Sequence, residues 1–181
     1  AKDAREVLAK AGKWVPYNKG GLFRKWYGNL DFVVNWENDG TDIRSFGIET
    51  GKVRSTVPNT DYYFLPCITW SKISSGRIAF RFRPYGSIFD VAGACLFSKH
   101  NLGYLAGFCN SSVAHAFLSE LSPTLNYEGS HIASLPVAIR PSNVGEVEST
   151  VSNCMEVSKT DWNSFETSWD FKRHPMLEAM R

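Results

Sequence analysis

The sequence has no apolar run that approaches the roughly 20 residues of a membrane span, and its opening residues lack the basic-then-apolar pattern of a secretory signal peptide. Its four cysteines, Cys67, Cys95, Cys109 and Cys154, are all more than four residues apart, so the Cys-x-x-Cys spacing of metal and redox sites is missing. We therefore expect a cytoplasmic protein without a membrane segment, whose free thiols are buried as small apolar side chains.

Motifs of the common enzyme classes are also missing. The sequence contains neither of the glycine-rich motifs that bind dinucleotides and nucleoside triphosphates, and no Gly-x-Ser-x-Gly nucleophile motif. Its four histidines do not have zinc-ligand spacing. Glu49-Thr50-Gly51-Lys52 resembles a nuclease acid–lysine pair, but the two side chains are one residue too far apart. We expect no catalytic residue, no metal and no cofactor within this chain.

What the sequence does contain is typical of one globular domain: 181 residues, of which 43% are hydrophobic, 14% aromatic and 21% charged. The net charge of +2 is distributed unevenly. Residues 62–89 contain no acid, whereas the segment from Val144 to the end carries seven acids and four bases. This distribution favours a basic surface that contacts a polyanion, and ordinary solvated charge is the alternative.

The hydrophobic pattern predicts an α+β fold, with a twisted and mostly antiparallel β platform backed by a long helix. Alternating or continuous apolar residues indicate strands at Asp31–Trp36, Tyr62–Trp70, Ile78–Arg83 and Ser87–Val91. Asn38-Asp39-Gly40 predicts a hairpin turn, with the return strand over Ile43–Ile48. The apolar alternation of Ile132–Ile139 indicates a further extended segment.

The helix prediction is clearest for Leu102–Leu121, where apolar residues recur every three or four positions and Asn101 is the expected N-cap. Its apolar stripe, which should face the core, is Leu102, Leu105, Cys109, Val113, Phe117 and Leu121. A second amphipathic helix is expected from Val144 to Ser158, and Trp162, Phe165 and Trp169 continue its stripe.

These elements suggest three parts. Residues 1–12 are rich in helix-forming side chains and are expected to be the end of a preceding helix or a linker. Residues 13–142 are expected to form the platform domain. Residues 143–181 are expected to form a helical tail that could dock on another protein. Because the first residue is Ala1 and a helix is already under way there, we expect the chain to be a piece of a longer protein.

Three patches combine basic, aromatic and amide side chains. The first is Lys19–Tyr27, at the end of a loop predicted for Lys13–Gly21, where glycines permit close backbone approach and bases can neutralise phosphate. The second is the arginine face of the Arg77–Arg83 strand. The third is the Asn126–His131 loop. Protection of an edge strand is the alternative for the second patch, and an ordinary turn is the alternative for the third.

Long segments of the chain resemble one family. Tyr17–Gly40, with Gly-Gly-Leu-Phe-Arg-Lys-Trp-Tyr-Gly-Asn and Val-Val-Asn-Trp-Glu-Asn-Asp-Gly, is similar to the C-terminal half of BREX-type (PglX) adenine-specific DNA methyltransferases of phage-defence systems. Ile68–Gly76, Ile88–Gly93 and Asp161–Phe171 resemble further blocks of that half. Leu105–Ser111, Leu125–Tyr127 and Ile132–Pro136 are similar to the target-recognition domains of type I and TaqI-like modification enzymes.

The resemblance implies S-adenosylmethionine-dependent N6 methylation of adenine by the parent enzyme, with double-stranded DNA and the catalytic half as partners. That half carries an Asn/Asp-Pro-Pro-Tyr/Phe motif, and this sequence has no Pro-Pro dipeptide. The resemblance therefore implies a non-catalytic domain that reads the DNA sequence while the other half extrudes the adenine. The alternative is a module that docks the enzyme to other defence proteins.

The candidate DNA contacts lie in the three patches, with Lys72 and Tyr85 flanking the second patch and Arg44 added from outside them. The expected phosphate contacts are Lys19, Arg24, Lys25, Arg44 and Lys72. The candidate base readers are Arg77, Arg81, Arg83, Asn126, Tyr127 and His131. The stacking candidates are Trp26 and Tyr85, and a place in the core is the alternative for Trp26.

Overall fold

The computed structural model describes residues 12–179, so the helix or linker expected in residues 1–11 lies outside the described part. Two three-stranded sheets and a set of helices make up an α+β fold, as predicted. The strands are β1 (Trp14–Asn18), β2 (Phe32–Asn35), β3 (Cys67–Trp70), β4 (Phe80–Arg83), β5 (Ile88–Phe89) and β6 (Cys95–Leu96). The helices are α1 (Glu37–Arg44), α2 (Leu102–Cys109), α3 (Ser112–Leu121), α4 (Gly129–Ala133), α5 (Val144–Asn163) and α6 (Met176–Ala179). Short 3₁₀ turns lie at Ile48–Thr50, Thr60–Tyr62 and Pro141–Asn143.

The first sheet has the order β2-β1-β5 and the second has the order β4-β3-β6. β1 runs antiparallel to β2 and parallel to β5, whereas every pair in the second sheet is antiparallel. Thr69 in the centre of β3 therefore has Arg81 on one side and Cys95 on the other. The predicted strands at Asp31–Trp36, Ile78–Arg83 and Ser87–Val91 are confirmed in shortened form as β2, β4 and β5.

The strand β1 was not predicted, because its residues lie in the expected loop Lys13–Gly21. Val15 and Asn18 of β1 are buried, and Pro16 lies between them. Proline has no amide hydrogen and lowered the expectation of a strand. The candidate strand Tyr62–Trp70 is confirmed only after Pro66, as β3.

The hairpin predicted at Asn38-Asp39-Gly40 is wrong. These three residues have the positive φ expected of a turn, but they lie inside α1, and no strand follows over Ile43–Ile48. The reason is the burial of Trp36, whose ring lies against Gly40: a Cβ on Gly40 would lie 2.6 Å from the ring. The left-handed turn wraps the chain around this indole, and β1 takes the place of the predicted return strand as the partner of β2.

The single helix predicted over Leu102–Leu121 is divided into α2 and α3. The side chain of Asn110 accepts a hydrogen bond from the Phe80 amide (3.1 Å) and donates to the Phe80 carbonyl (3.0 Å), so it pairs with β4 like a strand residue. Ser111 then begins a new helix, because its Oγ accepts from the amide of Ala114. Asn101 is not a side-chain cap of α2 and has a left-handed φ of 56°.

This interruption rotates α3 relative to the predicted apolar stripe. Ala114 and Leu118 face the core, whereas Val113, Phe117 and Leu121 are exposed. The extended segment predicted at Ile132–Ile139 is also wrong, since its first residues end α4 and no strand follows. Ile132 and Leu135 of this segment still bury their side chains in the main core.

The C-terminal helix α5 is part of the main core. Val151 is 3% exposed, and it packs against α2 at Gly107, where an added Cβ would lie 2.9 Å from a Val151 methyl group. Beyond Val151, Asp161 forms an ion pair with Arg24 (2.8 Å) and Trp162 stacks on the Arg24 guanidinium. The predicted helix from Val144 is thus confirmed, and it extends to Asn163.

We expect Val151→Ala to lower the free energy of unfolding by about 1–2 kcal/mol, because it removes two methyl groups from a packed interface. Val157 lies on the same helix and is 71% exposed, so Val157→Ala should change stability by less than about 0.5 kcal/mol. Urea denaturation of the two variants measures the difference. Equal effects would show that α5 does not pack on α2 in solution.

Candidate nucleic-acid interface

A buried polar seam joins the two sheets, and it contains two of the predicted base readers. Arg81 and Arg83 are each 1% exposed, so the expectation that they form a solvent-facing basic surface is wrong. The alternation along β4 is as predicted, but the first sheet and the Gly20–Asn29 segment cover its arginine face. Arg83 donates to Asn18 Oδ1 (3.4 Å) and to the Asn29 carbonyl, and Arg81 donates to Ser71 Oγ (3.2 Å).

Asn18 is the centre of the seam. Its Nδ2 donates to Thr69 Oγ1 (2.6 Å), to the Gly93 carbonyl (2.9 Å) and to the Cys95 sulfur (3.3 Å). Its Oδ1 accepts from Arg83, so one amide side chain connects the end of β1 to β3, β4 and the approach to β6. Such a network is stable only when its polar groups are nearly all paired.

Neither buried guanidinium has an acidic partner within salt-bridge distance among residues 12–177. Arg81 Nε and Arg83 Nη1 have no hydrogen-bond partner there either. Burial, with a smaller contribution from repulsion by Arg83, lowers the pKa of Arg81 to about 10. Burial likewise lowers the pKa of Arg83. Arg81 and Arg83 therefore have a structural role, and their hydrogen bonds offset only part of the free-energy cost of burying their charges.

The seam also brings together two cysteines that are 28 positions apart in the sequence. The sulfurs of Cys67 and Cys95 are 3.3 Å apart, and both thiols are free. The hydrogen bond to Cys95 and burial together raise the pKa of Cys67. Burial opposes ionisation of Cys95, but hydrogen bonds from Cys67, Asn18 and Thr69 outweigh it and lower the pKa of Cys95. All four cysteines are free thiols, but the expected burial holds only for Cys67 and Cys109, because Cys95 and Cys154 are partly exposed.

Outside the seam, a basic cleft of about 670 Å³ opens between the two sheets. Lys19 lines it together with Ser71, Lys72 and Asn126. A β-bridge between Ile73 and Asn126 holds the third patch beside the end of β3. The cleft thus assembles predicted residues from the first and third patches, together with Lys72.

The rim of this basic cleft is apolar and exposed. Ile73 is 72% exposed, Val91 is 72% exposed and Leu125 is 57% exposed, and all three line the cleft. The sequence pattern does not mark them, because single apolar residues in strands and loops are ordinary. Their common feature, a large apolar side chain in water, becomes visible only with the burial of each residue. Basic side chains together with exposed apolar ones suit a ligand with both phosphate groups and flat apolar parts.

Beside the cleft, Glu128 partly neutralises one of its two lysines, Lys72. Lys72 Nζ lies 3.0 Å from Glu128 Oε1, and Asn126 Nδ2 donates to the same oxygen (2.8 Å). Hydrogen bonds from Lys72 and Asn126 lower the pKa of Glu128, so its carboxylate remains charged at neutral pH. Asn126 Oδ1 is buried and has no hydrogen-bond partner among the described residues.

The other predicted phosphate contacts do not line the cleft. Arg24 pairs with Asp161, Lys25 donates to the Asn110 carbonyl (3.0 Å), and Arg44 pairs with Asp39 (3.1 Å). These three side chains therefore fix helices and turns.

The remaining candidates lie apart from one another. Arg77 and Tyr85 are exposed just outside the two ends of β4, and Tyr127 is half-buried against the core. His131 Nδ1 accepts from the Glu128 amide at the start of α4. Trp26 is half-buried and bonds through its backbone to Phe80 and Phe82, which makes it a core residue.

Two classes of feature are not found in the described residues. No group of three or more His, Cys, Asp or Glu side chains in this part could hold a metal ion. No helix in the same part is long and apolar enough to cross a membrane.

Comparison with known proteins confirms the resemblance identified from the sequence, although no protein-family model matches the chain. It is 42% identical over 169 residues to the adenine-specific methyltransferase PglX of Lacticaseibacillus casei (strain Zhang). It is 33% identical over 178 residues to the adenine-specific methyltransferase BrxX of Escherichia coli O9:H4 (strain HS). These alignments cover 91% and 96% of the chain but only 14% of each relative.

The unpaired burial of Arg81 leads to a stability prediction. We expect Arg81→Met to raise the free energy of unfolding by about 1–4 kcal/mol. An apolar side chain of similar length avoids the free-energy cost of burying a charge that has no acidic partner. Arg77→Met on the exposed side should change it by less than about 0.5 kcal/mol. Guanidinium denaturation measures both. A loss of stability in Arg81→Met would mean that the bonds to Ser71 and the Arg24 carbonyl outweigh desolvation.

Proposed function

We propose that this chain, which is homologous to a segment of the adenine-specific methyltransferases PglX and BrxX, recognises double-stranded DNA on behalf of such an enzyme. In this proposal the chain is a target-recognition domain of a BREX-type phage-defence methyltransferase. It would hold the duplex and read its sequence, while the rest of the enzyme transfers a methyl group from S-adenosylmethionine to adenine N6.

The observation that carries the proposal is the cleft with two lysines on its walls and apolar side chains on its rim. Lys19 follows β1 of the first sheet, Lys72 follows β3 of the second, and both line one space, which suits a phosphate backbone that passes between them. Asn126 lies beside Lys72, and an amide side chain can read adenine through its N6 and N7 atoms. Ile73, Val91 and Leu125 can contact sugars and thymine methyl groups.

The residues of this chain do not fit the cofactor of the parent reaction. The sequence has no glycine-rich cofactor loop and no Pro-Pro dipeptide of the methyltransferase motif. We therefore assign no step of methyl transfer to this chain, and we assign its contribution to binding and orientation of the DNA.

Docking to another protein is the second candidate function, and exposed apolar residues after α5 favour it. Phe165 and Trp169 are exposed, and Met176 and Leu177 near α6 are exposed as well. A double variant, Phe165→Ser with Trp169→Ser, should keep the DNA affinity if these residues serve only docking. Under the docking proposal it should lose association with the remainder of a PglX-type enzyme in a pull-down.

The DNA-binding proposal is tested by the salt dependence of binding to random duplex DNA, measured by fluorescence polarisation. Lys19→Gln and Lys72→Gln should each make the slope of log affinity against log salt less steep by about 0.9, since each removes one phosphate contact. Glu128→Gln should strengthen binding to all duplexes, because it removes the carboxylate that neutralises Lys72.

Lys13 supplies the matched control. It stands at the opposite end of β1 from Lys19, about 20 Å away along the strand, and it pairs with Glu37. Lys13→Gln should leave the slope unchanged. Wild-type slopes in Lys19→Gln and Lys72→Gln would exclude the cleft as the phosphate site, and absence of binding by wild type at low salt would refute DNA binding by this chain.

A further inference from the structure

Cys67 and Cys95, the two thiols of the buried polar seam, lie in contact on neighbouring strands. Cys67 is the first residue of β3 and Cys95 is the first residue of β6, which runs antiparallel to β3. The Cys67 thiol donates to the Cys95 sulfur across 3.3 Å, about 1.2 Å longer than the S–S bond of a disulfide. Because β6 is two residues long and lies at the edge of its sheet, a small displacement of this strand brings the sulfurs to bonding distance.

Cys95 is the accessible member of this pair. It is partly exposed and lines a cavity of about 500 Å³ beside β1 and β5, whereas Cys67 is 2% exposed. A small polar oxidant can therefore approach the Cys95 sulfur from the cavity without opening the core. Cys67 is shielded from such a reagent, but it can react with a group that has already formed on Cys95, because the two sulfurs are in contact.

Hydrogen-bond donors and a nearby positive charge favour the thiolate of Cys95. Asn18 connects this sulfur to Arg83, since its Nδ2 donates to Cys95 Sγ (3.3 Å) and its Oδ1 accepts from Arg83 Nε (3.4 Å). Burial opposes ionisation of Cys95, but the hydrogen bonds to its sulfur and the charge of Arg83 outweigh burial and lower its pKa. A lowered pKa, partial exposure and an adjacent second thiol are together typical of cysteines that react with peroxide.

We propose that Cys95 is a site of oxidation by hydrogen peroxide and that Cys67 converts the product to a reversible disulfide. First, the Cys95 thiolate attacks one peroxide oxygen: an S–O bond forms, the O–O bond breaks, and the departing hydroxide takes up the proton that Cys95 released. Cys67 then loses its proton and its sulfur attacks the sulfenic sulfur of Cys95, so that an S–S bond forms, the S–O bond breaks, and a second water leaves. Peroxide gains two electrons and the two thiols lose them. A thiol reductant restores both cysteines, and the reaction does not depend on DNA binding.

The disulfide changes the polar seam without removing it. Cys95 Sγ is one of three acceptors of the Asn18 amide, and the other two are Thr69 Oγ1 and the Gly93 carbonyl. When the Cys95 sulfur moves toward Cys67, Asn18 keeps its two oxygen acceptors, which are stronger than sulfur. The oxidised chain should therefore remain folded, with a covalent link between β3 and β6.

The experiment treats the chain with hydrogen peroxide and follows its thiols by mass spectrometry of the intact chain and of its proteolytic fragments. Wild type should lose the mass of two hydrogen atoms, and the fragments that contain Cys67 and Cys95 should be joined. Dithiothreitol should restore the original mass. Cys95 should react about 10-fold faster than Cys109 or more, because burial raises the pKa of Cys109 to about 12 and leaves little thiolate at neutral pH.

Two serine variants separate the two steps. Cys67→Ser should leave the sulfenic acid of Cys95 without a second thiol, so that dimedone, which reacts with sulfenic acids, labels Cys95. Cys95→Ser should leave Cys67 unoxidised at the same peroxide concentration, because Cys67 is buried. Cys154→Ser is the matched control: Cys154 is a partly exposed thiol on α5, and this variant should form the disulfide at the wild-type rate.

Three results would overturn the proposal. If wild type keeps all its thiols at a peroxide concentration that oxidises glutathione, Cys95 is not a site of oxidation. If Cys95 proceeds to the sulfinic acid while Cys67 remains a thiol, Cys67 does not form the disulfide. If peroxide joins two chains, or if Cys154→Ser abolishes the reaction, the oxidised thiol is Cys154. Each of these results is read from wild type or from the surface variant, so the test does not require the buried variant Cys67→Ser to fold.

Discussion

The position of Asn18 between the two sheets is the constraint on which the rest of the structure depends. Its amide bonds to Thr69, Gly93 and Arg83 replace the apolar contacts that usually join sheets. The backbone is correspondingly close: a Cβ on Gly93 would lie 2.2 Å from the Asn18 carbonyl oxygen. Because hydrogen bonds require defined distances and angles, this seam fixes the separation of the sheets more strictly than apolar packing alone would. That separation sets the position of Lys19 relative to Lys72, and therefore the width of the basic cleft.

The α+β class and several strands could be predicted because they depend on local alternation of apolar residues. The environment of β4 could not, since period-two alternation defines two faces but not what covers them. The sequence predicts that Arg81 and Arg83 are exposed, because arginine is rarely buried without an acidic partner. In the same way, the division between α2 and α3 depends on the two hydrogen bonds between the Asn110 side chain and the Phe80 backbone, 30 positions away. The apolar period of Leu102–Leu121 continues across that point and carries no sign of it.

The candidate site was predictable in part for a similar reason. Lys19, Lys72 and Asn126 were identified by residue type, and the fold brings them to one cleft. Arg24 has the same chemistry but pairs with Asp161, 137 positions away, and such a partner leaves no local trace in the sequence. Residue type therefore indicates which chemistry is available, and the distribution of acids in space decides which bases remain able to bind a polyanion. The apolar rim of Ile73, Val91 and Leu125 needed the same spatial information.

Glu128 connects these features, because its one side chain is bonded to both Lys72 and Asn126, which line the cleft. A phosphate that approaches Lys72 competes with this carboxylate, and any release of Glu128 also releases the Asn126 amide for a base edge. Coulomb's law gives phosphate and carboxylate similar attractions to the lysine at equal distance, so the exchange costs little enthalpy. Counterions released from the DNA backbone then favour the phosphate, and they do so more strongly at low salt. On this basis, electrostatic attraction and base contact are not independent steps in the proposed complex: the acid that weakens the cleft in the free protein also keeps the amide occupied until a phosphate arrives.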